Sequence, residues 1–243
     1  MSSYLENIRR AEIDRVQQHF KDVSRVLELG GGSGFQAKLL SALGHRVYSY
    51  DIDPPPRGHF PVAKYDGINI PLEKASVDIV FSSNTLEHVV HLDKLLDEMH
   101  RVLDDAGIAI HLVPSAAWRF WGSIAHYIYL LKSIIVKLLT RNKSNAPPVK
   151  LKNKYSTAEI IRRILYSVPH GTSKSVFSEW LAFRKNHWEK IFEKSGFEIT
   201  EATSSNLFHT GYGIMPALSI KARTRLAKIL GSSTHIFVLK KRN

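Results

Sequence analysis

Two groups of residues in this 243-residue chain could do chemistry, and their spacing suggests that they work together. The first is Val26-Leu27-Glu28-Leu29-Gly30-Gly31-Gly32-Ser33-Gly34, a strand-like run that ends in glycines and opens a helix. Glycines at such a turn let main-chain N–H groups approach a ligand with no Cβ in the way. Asp51 lies 21 residues beyond Gly30, at the end of the next strand-like run. An acid near that offset can accept hydrogen bonds from both hydroxyls of a ribose, so loop and acid together read as a site for an adenosine-containing cofactor. The second group is Glu87-His88, just after the apolar run Val77–Ser82. A histidine at a sheet edge can take a proton near neutral pH. Glu87 could orient it or bind substrate; equally, the pair could only stabilise its loop and the start of the next helix.

The elements that must position these groups follow from hydrophobic periodicity. Apolar positions Leu5, Ile8, Ile13, Val16 and Phe20 are helically spaced. Strands are predicted at Arg25–Leu29, Arg46–Tyr50, Val77–Ser82 and, opened by Gly107, Ile108–Val113, with a short extended piece at Pro61–Tyr65. Helices are predicted from Phe35 to Leu43 and from Leu92 to Val102. Strands alternating with helices at this spacing give βαβ units on a parallel sheet, and near-continuous apolar strands fit a sheet covered on both faces. The rhythm is lost after Ser115. It returns with a helix around Arg184–Ser195 and strands at Phe197–Thr203 and Ile236–Lys240. The chain therefore reads as one α/β domain over residues 1–243, with a helical insertion or lid at 115–182 after the fifth strand.

The glycine spacing is Glu-x-Gly-x-Gly-x-Gly, whereas dinucleotide sites read Gly-x-Gly-x-x-Gly. Here the chain resembles the class I S-adenosylmethionine (SAM)-dependent methyltransferases, in particular the broad small-molecule group that includes ubiquinone-biosynthesis enzymes. The resemblance covers roughly Val26 to Pro114 and the returning C-terminal strands. It implies a Rossmann-like, doubly wound, mostly parallel sheet of seven strands with a last antiparallel strand, and SAM as cofactor. Glu28, Gly30, Gly32 and Gly34 match the motif that holds the methionyl part of SAM. Asp51 matches the ribose-binding acid, with Ile52 beside the adenine, and Asp66-Gly67 looks like the acidic loop that contacts the adenine amino group. Val77-Asp78-Ile79-Val80 resembles the fourth-strand motif. Ser82-Ser83-Asn84-Thr85-Leu86-Glu87-His88-Val89 resembles the loop after it, which the family commonly writes Leu-Glu-His-Val; Asn84 is counted there among the cofactor contacts. Some ubiquinone-type enzymes bind a divalent cation near this motif. Asn84 stands where those enzymes carry a further acid, and no metal is expected.

The chemistry of SAM agrees with these assignments. It carries a sulfonium, an ammonium and a carboxylate but no pyrophosphate, so a carboxylate such as Glu28 beneath the loop suits its cationic end. Methyl transfer is an in-line displacement in which alignment supplies much of the acceleration. A hydroxyl acceptor also benefits from a general base, and His88, with Glu87 beside it, is the candidate.

Composition narrows the remaining choices. A chain 44% apolar and 10% aromatic is globular. With no cysteine, disulfides, zinc–thiolate sites, iron–sulfur chemistry and thiolate adducts are excluded. The Asp/Asn/Ser-Pro-Pro-aromatic tetrad of adenine and glutamine N-methyltransferases is also missing. A charged N-terminus and the lack of a long apolar run point to a cytoplasmic protein. Net charge is +12, yet residues 106–243 hold 22 Lys/Arg against 6 Asp/Glu, with no acid between Asp105 and Glu159. Such asymmetry suggests an anionic partner for that half, or simply a solvated basic surface.

Residues 118–140 place Trp121, Ile124, Ile128, Leu131, Ile135 and Leu138 along a helical stripe, followed by Arg141, Lys143, Lys150, Lys152 and Lys154. This segment reads as a core-packed helix or substrate lid, as a helix docked at the inner face of a membrane through 118–154, or as a dimer interface. Ser178–Arg184 and His209–Gly213 resemble segments of family members associated with bacterial surface-glycan synthesis. Arg184, Trp188 and Tyr212 could line a sugar or phosphate site, or pack the insertion on the sheet. The expected acceptor is a small molecule, a glycan or a lipid-linked compound, methylated at oxygen. Methylation of RNA or protein, or a non-catalytic scaffold of the same fold, are the alternatives.

Overall fold

The computed structural model describes residues 3–20, 23–140 and 167–242. The strand-like runs become seven strands: β1 (Arg25–Leu29), β2 (Arg46–Asp51), β3 (Ala63–Lys64), β4 (Val77–Ser83), β5 (Leu103–Pro114), β6 (Phe197–Ser204) and β7 (Thr234–Lys241). Their order across the sheet is β3-β2-β1-β4-β5-β7-β6. β1 to β5 pair in parallel, and β7 runs antiparallel to both β5 and β6. This is the doubly wound, Rossmann-like sheet with one reversed strand that the sequence implied.

Helices α1 (Ser3–Val16), α2 (Phe35–Ala42) and α3 (Leu92–Val102) cover the first half. Helices α4 (Ala116–Thr140), α5 (Val176–Ala182) and α6 (Lys185–Lys194) follow β5, and α7 (Ile220–Leu230) precedes β7. Alternate residues of a strand point to opposite faces. Val26, Ile79, Phe81 and Ile110 meet Ile13, Val16 and Leu40 on one side. Leu27, Leu29 and Val80 meet Leu95, Leu96, Met99 and Phe192 on the other. Burial on both faces is why these strands read as apolar runs. Among the described residues no helix is long and apolar enough to cross a membrane.

The structure departs from expectation in three places. β3 keeps only two residues of the extended piece foreseen at 61–65. β5 begins at Leu103, directly after α3, so Gly107 lies inside the strand, where the pairing register with β4 shifts between Val77 and Ile79. α7 was not foreseen because its anchor is polar. The Arg223 side chain is buried, donates to the carbonyls of Leu218, Phe208 and Met215, and lies 4.7 Å from the centre of the Tyr4 ring. A helix held by a guanidinium carries little apolar periodicity to read. The basic stretch 141–154 and the polar segment that follows Ser156 lie largely outside the described residues.

Buried titratable groups set a pH profile for stability. Burial pushes His111, whose Nδ1 lies 2.8 Å from Ser82 Oγ, down to about 3, and holds His209 and His235 at about 4. It pushes Glu28 up to about 7 and Glu87 up to about 8. Between about pH 4.5 and 6.5 the unfolded chain binds three histidine protons, while the folded chain holds two carboxyl protons. Unfolding then takes up a net proton, so stability rises with pH by about 1.4 kcal/mol per unit. Above about pH 6.5 these histidines are neutral in both states. There Glu28 and Glu87 are ionised when unfolded but give up their protons in the fold only near 7 and 8, so stability falls as pH rises. The urea midpoint is expected to peak near pH 6.5; a midpoint that kept climbing from pH 6.5 to pH 9 would contradict this ledger.

Candidate active site

From β1 the chain steps outward to β2 and β3, then returns to the other side of β1 to lay down β4. Connections that diverge in this way leave a crevice at the carboxyl ends of the strands, where open α/β sheets bind ligands. Leu29 is level with Tyr50 of β2 and with Ser82 of β4, so Gly30, Asp51 and Asn84 come together at that edge. A cavity of about 570 Å³ opens there. Gly30, Asp51, Ile52, Asp66, Gly67, Asn84 and His88, all singled out in the sequence, line it. Glu28, Gly32, Gly34 and Glu87 are not among the lining residues. Tyr65, Ile68, Thr85, Val89, Val90 and His91 complete the lining, each from a loop that leaves a strand end; Thr85 and Val89 fall within the motif quoted after the fourth strand, and for the others that position was the only signal in the sequence.

The glycine loop is tied to both neighbouring strands. Gly30 and Gly31 N–H donate to the Tyr50 carbonyl at 2.8 and 3.1 Å. Gly30 has φ +74°, and a Cβ there would stand 2.2 Å from Thr85 Oγ1, so loop and post-β4 turn meet at a point where only glycine fits. Asp51 Oδ2 accepts the Gly32 N–H at 2.8 Å and Oδ1 accepts the Asp53 N–H at 2.9 Å. A carboxylate offers about four lone-pair sites, so Asp51 can hold the loop and still accept from a ligand. Asp53 is exposed and outside the lining.

Glu28 projects to the α1–α2 side of the sheet. Its carboxylate accepts from Ser49 Oγ, an unforeseen partner, and from the Ala37 N–H in the first turn of α2. It supports the loop and the helix N-terminus from beneath. Asp66 accepts from the N–H groups of Ile68 and Asn69 and from the Asn69 side chain, which holds its carboxyl below the usual range and keeps it charged.

The opposite wall joins the turn Leu86–His88 to the segments after β5. His88 faces the cavity with its ring half exposed, and desolvation lowers its pKa, so the imidazole is neutral at pH 7. Its Nε2 lies 3.7 Å from Glu87 Oε1. Glu87 is buried, and neither carboxyl oxygen finds a hydrogen-bond partner among the described residues, so the acid form prevails at neutral pH. The His170 ring packs edge-on against both His88 and Trp118, with centroids 4.6 and 4.8 Å away. Ligand atoms of Glu87, His88 and His170 lie within 4.8 Å of one another, a group whose spacing could hold a metal ion.

A buried ion pair holds this wall. Arg119 Nε of α4 lies 2.9 Å from Glu179 Oε2 of α5, and Glu179 Oε1 accepts the N–H groups of His170 and Gly171. Thr172 N–H donates to the Glu87 carbonyl at 3.1 Å, and a Cβ on Gly171 would lie 2.4 Å from that oxygen. From the N-terminus, Arg9 Nη1 pairs with Glu12 at 2.6 Å and reaches Ser83 Oγ at 3.0 Å. Arg9, Glu12, Arg119 and Glu179 were not legible as partners, because each is a lone charged residue on an otherwise ordinary helix. Trp188, one candidate for a sugar site, packs instead in the core against Phe192. Arg184 lies 4.2 Å from the centre of the Trp180 ring, and Tyr212 Oη is 2.9 Å from His126 Nδ1.

Residues 27–111, which supply Glu28, the glycine loop, Asp51 and the Glu87-His88 turn, match the methyltransferase domain family. Over those residues the chain carries a methyltransferase domain, similar to the class I SAM-dependent enzymes. An uncharacterized methyltransferase of Mycobacteroides abscessus is 36% identical over 97 residues, covering 35% of this chain and 38% of that protein. The chain spans less than half the length of the first curated relatives it matches. Among solved structures, a SAM-dependent methyltransferase of Archaeoglobus fulgidus aligns with TM-score 0.56 at 17% identity, over 97% of this chain and 94% of that one. The Burkholderia thailandensis 1,6-didemethyltoxoflavin-N1-methyltransferase, solved with 1,6-didemethyltoxoflavin and S-adenosylhomocysteine, aligns with TM-score 0.56 at 13% identity, over 98% and 80% of the two chains. Those two likenesses are likenesses of fold.

The cofactor of this domain is SAM, and the residues present suit it. Asp51 and Asp66 put two carboxylates on the cavity, and no Lys or Arg is among its lining residues. That charge favours a sulfonium and an ammonium and disfavours a pyrophosphate. Ile52, Val89 and Val90 offer apolar surface for a purine beside the Asp66 carboxylate.

Proposed function

We propose that this protein is a methyltransferase acting on a hydroxyl of a small-molecule, glycan or lipid-linked acceptor. SAM supplies the activated methyl group. In this reading Asp51 accepts from the ribose hydroxyls, Ile52 and Gly67 flank the adenine, Asp66 accepts from its amino group, and Gly30 and Asn84 bound the methionyl end. Glu28, Gly32 and Gly34 hold the loop in shape from outside the cavity. His88 takes the acceptor's hydroxyl proton on its free imidazole nitrogen, and Glu87 beside it, in its acid form, does not compete for that proton. The described parts of the insertion, residues 115–140 and 167–182, belong to the same domain and choose the acceptor.

The observation that carries this reading is the position of His88: a neutral imidazole on the rim of a cavity with carboxylates and no cationic side chain, packed against the segments that follow β5. The test is to incubate the protein with methyl-labelled SAM and separated small-molecule, glycan, lipid, RNA and protein pools. Label is expected in one of the first three; label confined to RNA or protein would replace the acceptor class. On the acceptor so found, His88→Ala is expected to lower kcat by about 100-fold or more while SAM affinity stays within roughly twofold. Undiminished turnover in the variant would remove His88 from the mechanism.

A further inference from the structure

α4 is built inside out. Its inward side carries Arg119, Gly122, Ala125 and His126, all buried. Its outward side carries Phe120, Ile124, Ile128, Leu131 and Ile135, each at least 37% exposed. Their spacing of three or four residues lines them up along one face, for about 22 Å of helix. Monomeric soluble proteins rarely leave so long an apolar stripe uncovered.

Charge decides between the partners that could cover it. Lys132 is exposed at the edge of the stripe. In the sequence α4 runs on into Arg141, Lys143, Lys150, Lys152 and Lys154, and no acidic residue occurs between Asp105 and Glu159. A second copy of the chain would bring the same excess of positive charge as the first. An acidic lipid surface brings the opposite charge, together with an apolar layer for the stripe. Because α4 is not apolar enough to cross a bilayer, it would lie in the plane of the surface.

We propose that the outward face of α4 docks this protein on membranes of anionic phospholipid. The inference does not depend on methyl transfer. The full chain is to be sedimented with vesicles of phosphatidylcholine, with and without one part in three of phosphatidylglycerol, at low and high salt. Binding is expected to the mixed vesicles, at least about tenfold stronger than to phosphatidylcholine alone and weakened by salt. The double substitution Ile128→Glu, Ile135→Glu is expected to lower it at least about tenfold. Both positions are exposed, so the variant should keep its melting temperature and its affinity for SAM; the milder Leu131→Ser checks the direction if it does not. No binding to the mixed vesicles, or equal binding by the variants, would overturn the proposal. So would a dimer in sedimentation velocity that the double substitution disperses, which would give the stripe to a second copy.

Discussion

Replacing Asp51 by alanine is expected to weaken SAM binding by at least about 100-fold. Two ribose hydroxyls donating to one carboxylate are charge-assisted hydrogen bonds, each worth roughly 1.5–3 kcal/mol. The substitution also frees the Gly32 N–H, which Asp51 holds at 2.8 Å, so the glycine loop loses its tie to the end of β2. Asp51→Asn keeps one acceptor oxygen and should lose less, about tenfold. Titration calorimetry on the two variants separates the cases. Equal and modest losses in both would mean that the carboxylate acts only on the loop.

The second large effect is expected at the Arg119–Glu179 pair. Glu179→Ala leaves a buried guanidinium without its partner and the N–H groups of His170 and Gly171 without an acceptor. Breaking a buried pair from one side costs about 3–5 kcal/mol. Replacing both residues by apolar ones of similar volume, Arg119→Met with Glu179→Leu, should recover the part owed to the unpaired guanidinium and leave the cost of the two N–H groups. Because the pair joins α4, α5 and the segment against Glu87 but touches no residue of the cofactor cavity, SAM affinity is expected to change less than about threefold while turnover collapses. Urea denaturation, calorimetry and turnover on the singles and the double form the cycle. Single substitutions costing under about 1 kcal/mol would contradict a supporting role for the pair.

What was legible in the sequence follows from which signals are local. Val26–Leu29, Val77–Ser82 and Leu92–Val102 carry two-faced or one-faced burial in their own periodicity, and all three fold as read. The residues singled out for the cofactor divide by strand pleat and loop position. Asp51, Asp66 and Asn84 leave strand ends toward the cavity, whereas Glu28 sits inside β1 and points to the opposite side, toward α2. The sequence could not assign that direction, because Glu28 and Gly30 share one motif. Arg9, Arg119, Glu179 and Arg223 act through partners from 3 to 219 positions away in the chain, and a lone charge gives no sign of whether it will be buried. Gly171 is demanded by an approach to the Glu87 carbonyl that only the folded chain creates.

The central claim is that the cavity where β1, β2 and β4 end holds SAM by its ribose. The most direct measurement is a crystal structure of the full chain grown or soaked with SAM. The ribose hydroxyls are expected within hydrogen-bond reach of Asp51, with the adenine against Ile52 and Gly67. A nucleoside bound away from Asp51, or a protein that takes up no SAM at saturating concentration, would contradict the claim.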